Sequence, residues 1–120
     1  MTPGVSAILV NYNAGRELAV ALRSIAAELA GQQWEAVVVD NASSDGSAAV
    51  VADFAPHARL VSNERNVGFA RGVNQGLAAT SGSLVLIINP DCRLVTGAFA
   101  LLRRELEQEE SYAIAGPRIL

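Results

Sequence analysis

The sequence predicts an α/β fold: three layers, α/β/α, around a mostly parallel sheet of the Rossmann-like kind. Three observations carry that prediction. Short apolar, β-branched runs alternate with segments whose apolar residues recur at helical spacing. Two of the runs stop abruptly at polar turns holding a carboxylate. Ala36-Val37-Val38-Val39 leads into Asp40-Asn41-Ala42-Ser43-Ser44-Asp45-Gly46, and Leu84-Val85-Leu86-Ile87-Ile88 leads into Asn89-Pro90-Asp91-Cys92. Finally, 51% of the 120 residues are hydrophobic and the mean hydropathy is +0.28, as a folded chain with a buried sheet requires.

The elements follow in order. Val5 to Val10 is apolar and β-rich and reads as the first strand, broken by Asn11-Tyr12-Asn13-Ala14-Gly15. From Arg16 to Ala30 the positions Leu18, Leu22, Ile25 and Leu29 mark one helical face, with Gly31 as the stop. The second strand is Glu35 to Asp40. Ser44 or Asp45 caps a helix running through Val50, Val51 and Phe54 to Pro56. Arg59 to Ser62 is a short third strand near an edge. After the loop Asn63-Glu64-Arg65-Asn66, a helix runs from Gly68 to Ala79, then a fourth strand from Ser83 to Ile88. A helix from Gly97 to Gln108 carries Phe99, Leu102 and Leu106 on one face, and Tyr112 to Ala115 reads as a last strand. Strands alternating with such helices imply right-handed crossovers and helices on both faces of a parallel sheet.

Length allows one domain, residues 1–120. The net charge of -3 and pI near 5.0 supply no basic footprint for nucleic acid. No apolar stretch approaches the ~18 residues of a membrane span, and no leader pattern follows Met1. A single cysteine, Cys92, excludes an internal disulfide and fits a cytoplasmic setting; as a small apolar filler near a strand end it needs no chemical role. His57, in a Pro56-His57 loop, has no sequence partner and is assigned none. The sequence closes on Gly116-Pro117-Arg118-Ile119-Leu120 directly after an expected strand, which we take as the front piece of a longer protein whose uncovered edge self-associates.

Ligands of an open α/β sheet bind beyond the carboxyl ends of its strands, so two acidic strand ends point to a polar, phosphorylated ligand. The first turn has neither G-x-G-x-x-G nor G-x-x-x-x-G-K-[ST], which argues against a dehydrogenase or a phosphate-loop nucleotidase. Tyr12 can stack on a base while its Asn neighbours reach the base edge, or it can simply cover the sheet. Asp40, at the end of strand two, can accept from a ribose hydroxyl or a base N–H, whereas Ser44 and Asp45 read as turn and cap chemistry. In Asn66-Val67-Gly68-Phe69-Ala70-Arg71-Gly72-Val73-Asn74-Gln75-Gly76, three glycines four residues apart each cost about 1 kcal/mol relative to Ala in a helix. A stripe of Gly68, Gly72 and Gly76 lets that helix approach the backbone beneath it and presents Arg71 and Asn74 together on another side. Asp91 can coordinate a hard divalent cation that draws the rest of its shell from water and phosphate.

Taken together, these segments resemble glycosyltransferase family 2, the nucleotide-sugar-dependent enzymes with the A-type glycosyltransferase fold, and among them the rhamnosyltransferase-like members. The matching pieces are Val5 to Asn13, Val38 to Ser47, Asn66 to Asn74 and Ile88 to Asp91, which span nearly the whole chain in family order. The resemblance implies that Asn11, Tyr12 and Asp40 hold the nucleoside, with Asp40 facing a pyrimidine base. It implies that Asn66, Arg71 and Asn74 line the nucleotide pocket and that Asp91 binds Mg2+ or Mn2+ bridging the diphosphate. The family's metal motif is Asp-x-Asp; here Asn89 takes its first position and would hydrogen-bond the ribose, leaving Asp91 alone on the metal.

The implied activity is inverting transfer from a UDP- or dTDP-sugar, dTDP-rhamnose among them, to a saccharide or lipid-linked acceptor. The implied setting is the cytoplasm, with peripheral association at the inner face of the membrane, in polysaccharide or cell-wall synthesis. The general base is expected beyond Leu120. A non-catalytic nucleotide-binding module and a sugar-nucleotide nucleotidyltransferase are the alternatives; the second would show a Gly-rich loop with Lys or Arg after strand one, and none is present.

Overall fold

The computed structural model describes residues 4–118. Four strands, β1 (Val5–Asn11), β2 (Trp34–Asn41), β3 (Ala58–Asn63) and β4 (Leu84–Ile87), are joined through α1 (Glu17–Glu28), a 3₁₀ helix (Ser47–Phe54) and α2 (Phe69–Ala78); α3 (Ala98–Glu107) follows β4. The strands form one sheet in the order β3-β2-β1-β4, with every pair parallel. From β1 the chain winds outward through β2 and β3, then crosses back to set β4 on the other side. The strand order therefore reverses between β1 and β4, the position beyond whose carboxyl ends open α/β sheets take their ligands.

Alternation along the strands sorts the side chains. Val5, Ala7 and Leu9 of β1 and Ala36 and Val38 of β2 join Leu18, Ala21, Leu22 and Ile25 of α1 and Phe99 of α3 in one core. Ile8, Val10, Val37 and Val39 lie on the opposite face, which α2 covers. Gly72 and Gly76 permit that contact: a Cβ at Gly72 would sit 2.9 Å from Val10 Cγ1, and one at Gly76 would sit 2.5 Å from Ile8 Cγ2. The expected glycine stripe is therefore real at two of its three positions. Gly68 has a different task, capping α2 at φ 90°.

Other expectations need correction. The segment Tyr112 to Ala115 forms no strand: it has no ladder partner among the described residues, and Ile114 is exposed. A run of four such residues acquires strand structure only from a neighbouring strand. The helix after strand two is 3₁₀, and Gly46, not Ser44 or Asp45, holds its cap position at φ 78°, where a glycine is unstrained. Cys92 is exposed in a turn and fills nothing. His57 stacks on Trp34 with ring centroids 4.5 Å apart. The apolar end at Ile119-Leu120 lies outside the described residues.

Candidate functional site

The register of the sheet assembles the site. Asn11 and Asp40, the ends of β1 and β2, are direct neighbours, as are Asn41 and Asn63 of β2 and β3. By alternation Asp40 projects toward the 3₁₀ helix and Asn41 toward α2, so two polar clusters form at the same end of the sheet, one on each face.

In the first cluster, Asn11 is 0% and Asp40 7% exposed. Asn11 Nδ2 donates to Asp40 Oδ1 at 2.9 Å and to Ser47 Oγ at 2.9 Å, with Ser43 Oγ farther off at 3.2 Å. The Ser43 hydroxyl donates to Asp40 Oδ1 at 2.6 Å, and the Ser43 N–H donates to Asp40 Oδ2 at 3.1 Å. A clasp between the first two strand-end loops surrounds this cluster. Asn13, at φ 53°, accepts from the N–H groups of Ser44 and Asp45, while its own N–H donates to Ser43 Oγ. Asp45 accepts from the N–H groups of Gly15 and Ser47. The hydrogen bonds from Ser47 above all, with that from Gly15, hold the Asp45 carboxyl below its ordinary value.

In the second cluster, Asn63 donates to Asn41 Oδ1 at 2.9 Å and exchanges two 2.8 Å bonds with Gln75, while Asn41 donates to the Gly68 carbonyl. This anchors the start of α2 at the carboxyl end of the sheet.

The structure places the expected residues unequally. Tyr12, 56% exposed, stands free at the end of β1. Asn11 is corrected: its side chain is enclosed and reaches Asp40 instead of the surface. Asn66 caps its own turn by accepting from the Gly68 N–H. Arg71, in the first turn of α2, and Asn74 face solvent and line an open depression of about 450 Å³ with Val67, Gln75 and Ala78. That depression shares no residue with the Asp40 cluster. Beyond β4, the Ile88 N–H still bonds to Ile8 O, and a turn closed by Cys92 N–H to Asn89 O then leaves Asn89 and Asp91 exposed beside β1. Burial, the adjacent Asp91 charge and its hydrogen bond keep Cys92 protonated by raising its pKa. The sequence reading missed Asn41, Ser43, Asn63 and Gln75 in these clusters, and took Asn13 for a neighbour of Tyr12 reaching a base, not for the clasp; the one signal was their density in strand-end loops.

The match to a divalent cation can be judged from the donors. Among the described residues no three His, Cys, Asp or Glu side chains gather as a metal site. Asp91, exposed and hydrogen-bonded among the described residues only by Cys92 Sγ at 3.7 Å, suits an ion that takes most of its ligands from a diphosphate and water.

The model of the Glycosyl transferase family 2 matches residues 6–120. The uncharacterized protein MT1568 of Mycobacterium tuberculosis is 37% identical over 117 residues, covering 97% of this chain and 36% of that protein. The putative glycosyltransferase EpsE of Bacillus subtilis is 31% identical over 87 residues, 69% of this chain and 31% of that protein. Among solved structures, the mannosyltransferase PcManGT of Pyrobaculum calidifontis, in complex with GDP-Man and Mn2+, superposes with a TM-score of 0.79 at 26% identity over 92% of this chain and 34% of that one. The chain spans about a third of the length of these relatives. No helix among the described residues is long and apolar enough to cross a membrane.

Proposed function

The chain belongs to glycosyl transferase family 2, and from that premise we propose that it binds the nucleoside diphosphate part of a sugar donor, UDP- or dTDP-linked, at the carboxyl ends of β1, β2 and β4. The observation that carries the reading is the placement of Asp40 and the Asn89-Pro90-Asp91 turn on either side of β1, where the strand order reverses. Tyr12 supplies an exposed ring for the base, and Asp40 an acceptor for its N–H. Asn89 offers its amide to the ribose. Arg71, with no acidic partner among the described residues, adds positive charge at the start of α2, where helix N–H groups already favour anions. Asp91 is the residue that would hold Mg2+ or Mn2+, and a cation bound there would offset charge on the departing diphosphate.

The full reaction in this proposal is inverting transfer to a saccharide or lipid-linked acceptor at the cytoplasmic face of a membrane, with a base supplied by sequence outside these residues. The naming of relatives as glycosyltransferases supports transfer over a non-catalytic module.

The test is the metal dependence of donor binding. Replacing Asp91→Asn is expected to leave UDP binding without metal nearly unchanged and to abolish the gain on adding Mn2+. A Mn2+ gain that survives the replacement would make the turn purely structural.

A further inference from the structure

We infer that Asn11 is a positioning residue for Asp40, whose hold on one carboxylate oxygen fixes the single acceptor left to face the ring N–H of a bound base. The inference rests on the donor-binding reading above and adds to it which atom of Asp40 is available and why.

An asparagine amide has two hydrogens on Nδ2 and an acceptor in Oδ1. Here both hydrogens are committed, to Asp40 Oδ1 and Ser47 Oγ at 2.9 Å each, while Oδ1 is buried with no partner among the described residues. Leaving such an acceptor unmatched costs its full desolvation. The opposite orientation would set the amide oxygen against the Asp40 carboxylate, acceptor against acceptor, so the amide is held for what its nitrogen does. With no exposed surface, Asn11 acts on a ligand only through Asp40.

Asp40 has two accepting positions on each oxygen. Oδ1 is filled by Asn11 Nδ2 and the Ser43 hydroxyl, and among the described residues Oδ2 receives only the Ser43 N–H. One position on Oδ2 remains, and the bonds on Oδ1 prevent the carboxyl from rotating. A single fixed acceptor matches a ring N–H, the imide of uracil and thymine or the lactam of guanine. Cytosine presents a lone pair at the same ring position, and that lone pair is repelled.

The experiment compares UDP with CDP by calorimetry on the unaltered protein, on Asn11→Ala, on Asp40→Asn and on the double variant, with circular dichroism to check folding. A hydrogen bond to a charged group corresponds to about tenfold or more in affinity, so the unaltered protein should prefer UDP by about that factor. Asn11→Ala should lose most of the preference by weakening UDP while CDP changes little, and should cause no further loss in the Asp40→Asn background. Should Asn11→Ala fail to fold, Asn11→Ser keeps a polar group in the slot but is too short to reach Asp40, and the same loss is expected.

Equal binding of UDP and CDP by the unaltered protein overturns the inference without any variant. So does a parallel loss of both nucleotides, or an undiminished effect of Asn11→Ala without the Asp40 carboxylate. Failure of the unaltered protein to bind any nucleoside diphosphate would instead overturn the donor-binding reading itself, and this inference with it.

Discussion

Gly76 and Asn11 show how single residues set the framework around the strand ends. A Cβ at Gly76 would press to 2.5 Å from Ile8 Cγ2, closer than the 2.9 Å that Gly72 would bring to Val10. Overpacking costs about 1–3 kcal/mol, partly offset by the ~1 kcal/mol that alanine gains over glycine in a helix. Gly76→Ala is therefore expected to destabilise by ~1–2 kcal/mol and Gly72→Ala by less, read from urea midpoints; a stabilised Gly76→Ala protein would show that α2 does not lie this close to β1. The spacing of these glycines was legible in the sequence because their cost in a helix demands a reason. What Asn11 does was not legible: whether a strand-end amide faces solvent or a neighbouring carboxylate depends on the register between β1 and β2, which sequence spacing leaves open.

Between elements, loops carry the constraints. The clasp of Asn13, Ser43 and Asp45 ties the end of β1 to the end of β2. At the other end of the sheet, Glu35 accepts from Ser6 Oγ at 2.7 Å, from the Ser81 N–H at 2.9 Å and from Arg59 at 2.8 Å, fixing the α2–β4 connection. Burial pushes the Glu35 carboxyl up, but the Ser81 N–H, the Ser6 hydroxyl and Arg59 together hold it below its ordinary value. A carboxylate lowered on folding stabilises fully above its unfolded pKa and loses that contribution as pH falls through the folded value. Stability measured by denaturant should thus decline as pH drops below ~4, and Glu35→Gln should flatten the decline; an unchanged slope would remove Glu35 from the account. Strand and helix order was readable from hydrophobic period. The 3₁₀ geometry of Ser47–Phe54 and the failure of Tyr112–Ala115 to pair were not, since both depend on tertiary neighbours.

On the scale of the whole molecule, the sheet is closed by neither of its edges. β4 is one edge among the described residues; it carries no Pro or charge to discourage pairing, and Val85 at 43% and Ile87 at 50% exposure stand half-open on the face they share with Ile8. Concentration-dependent self-association is expected in light scattering, and replacing both Val85 and Ile87 by Lys should abolish it; a strictly monomeric unaltered chain would contradict this. The overall architecture was legible because alternating strands and helices leave few topologies open, whereas the depression beside Arg71 and Asn74 is defined by how α2 lies on the sheet. A nucleoside diphosphate site at the reversal between β1 and β4 can be mapped by titrating UDP, dTDP and ADP into the 15N-labelled protein and following the amide signals. UDP and dTDP should bind more tightly than ADP and shift the amides around Tyr12, Asp40 to Ser43 and Asn89 to Cys92. Equal or tighter binding of ADP, or shifts confined to the Glu35 end of the sheet, would contradict it.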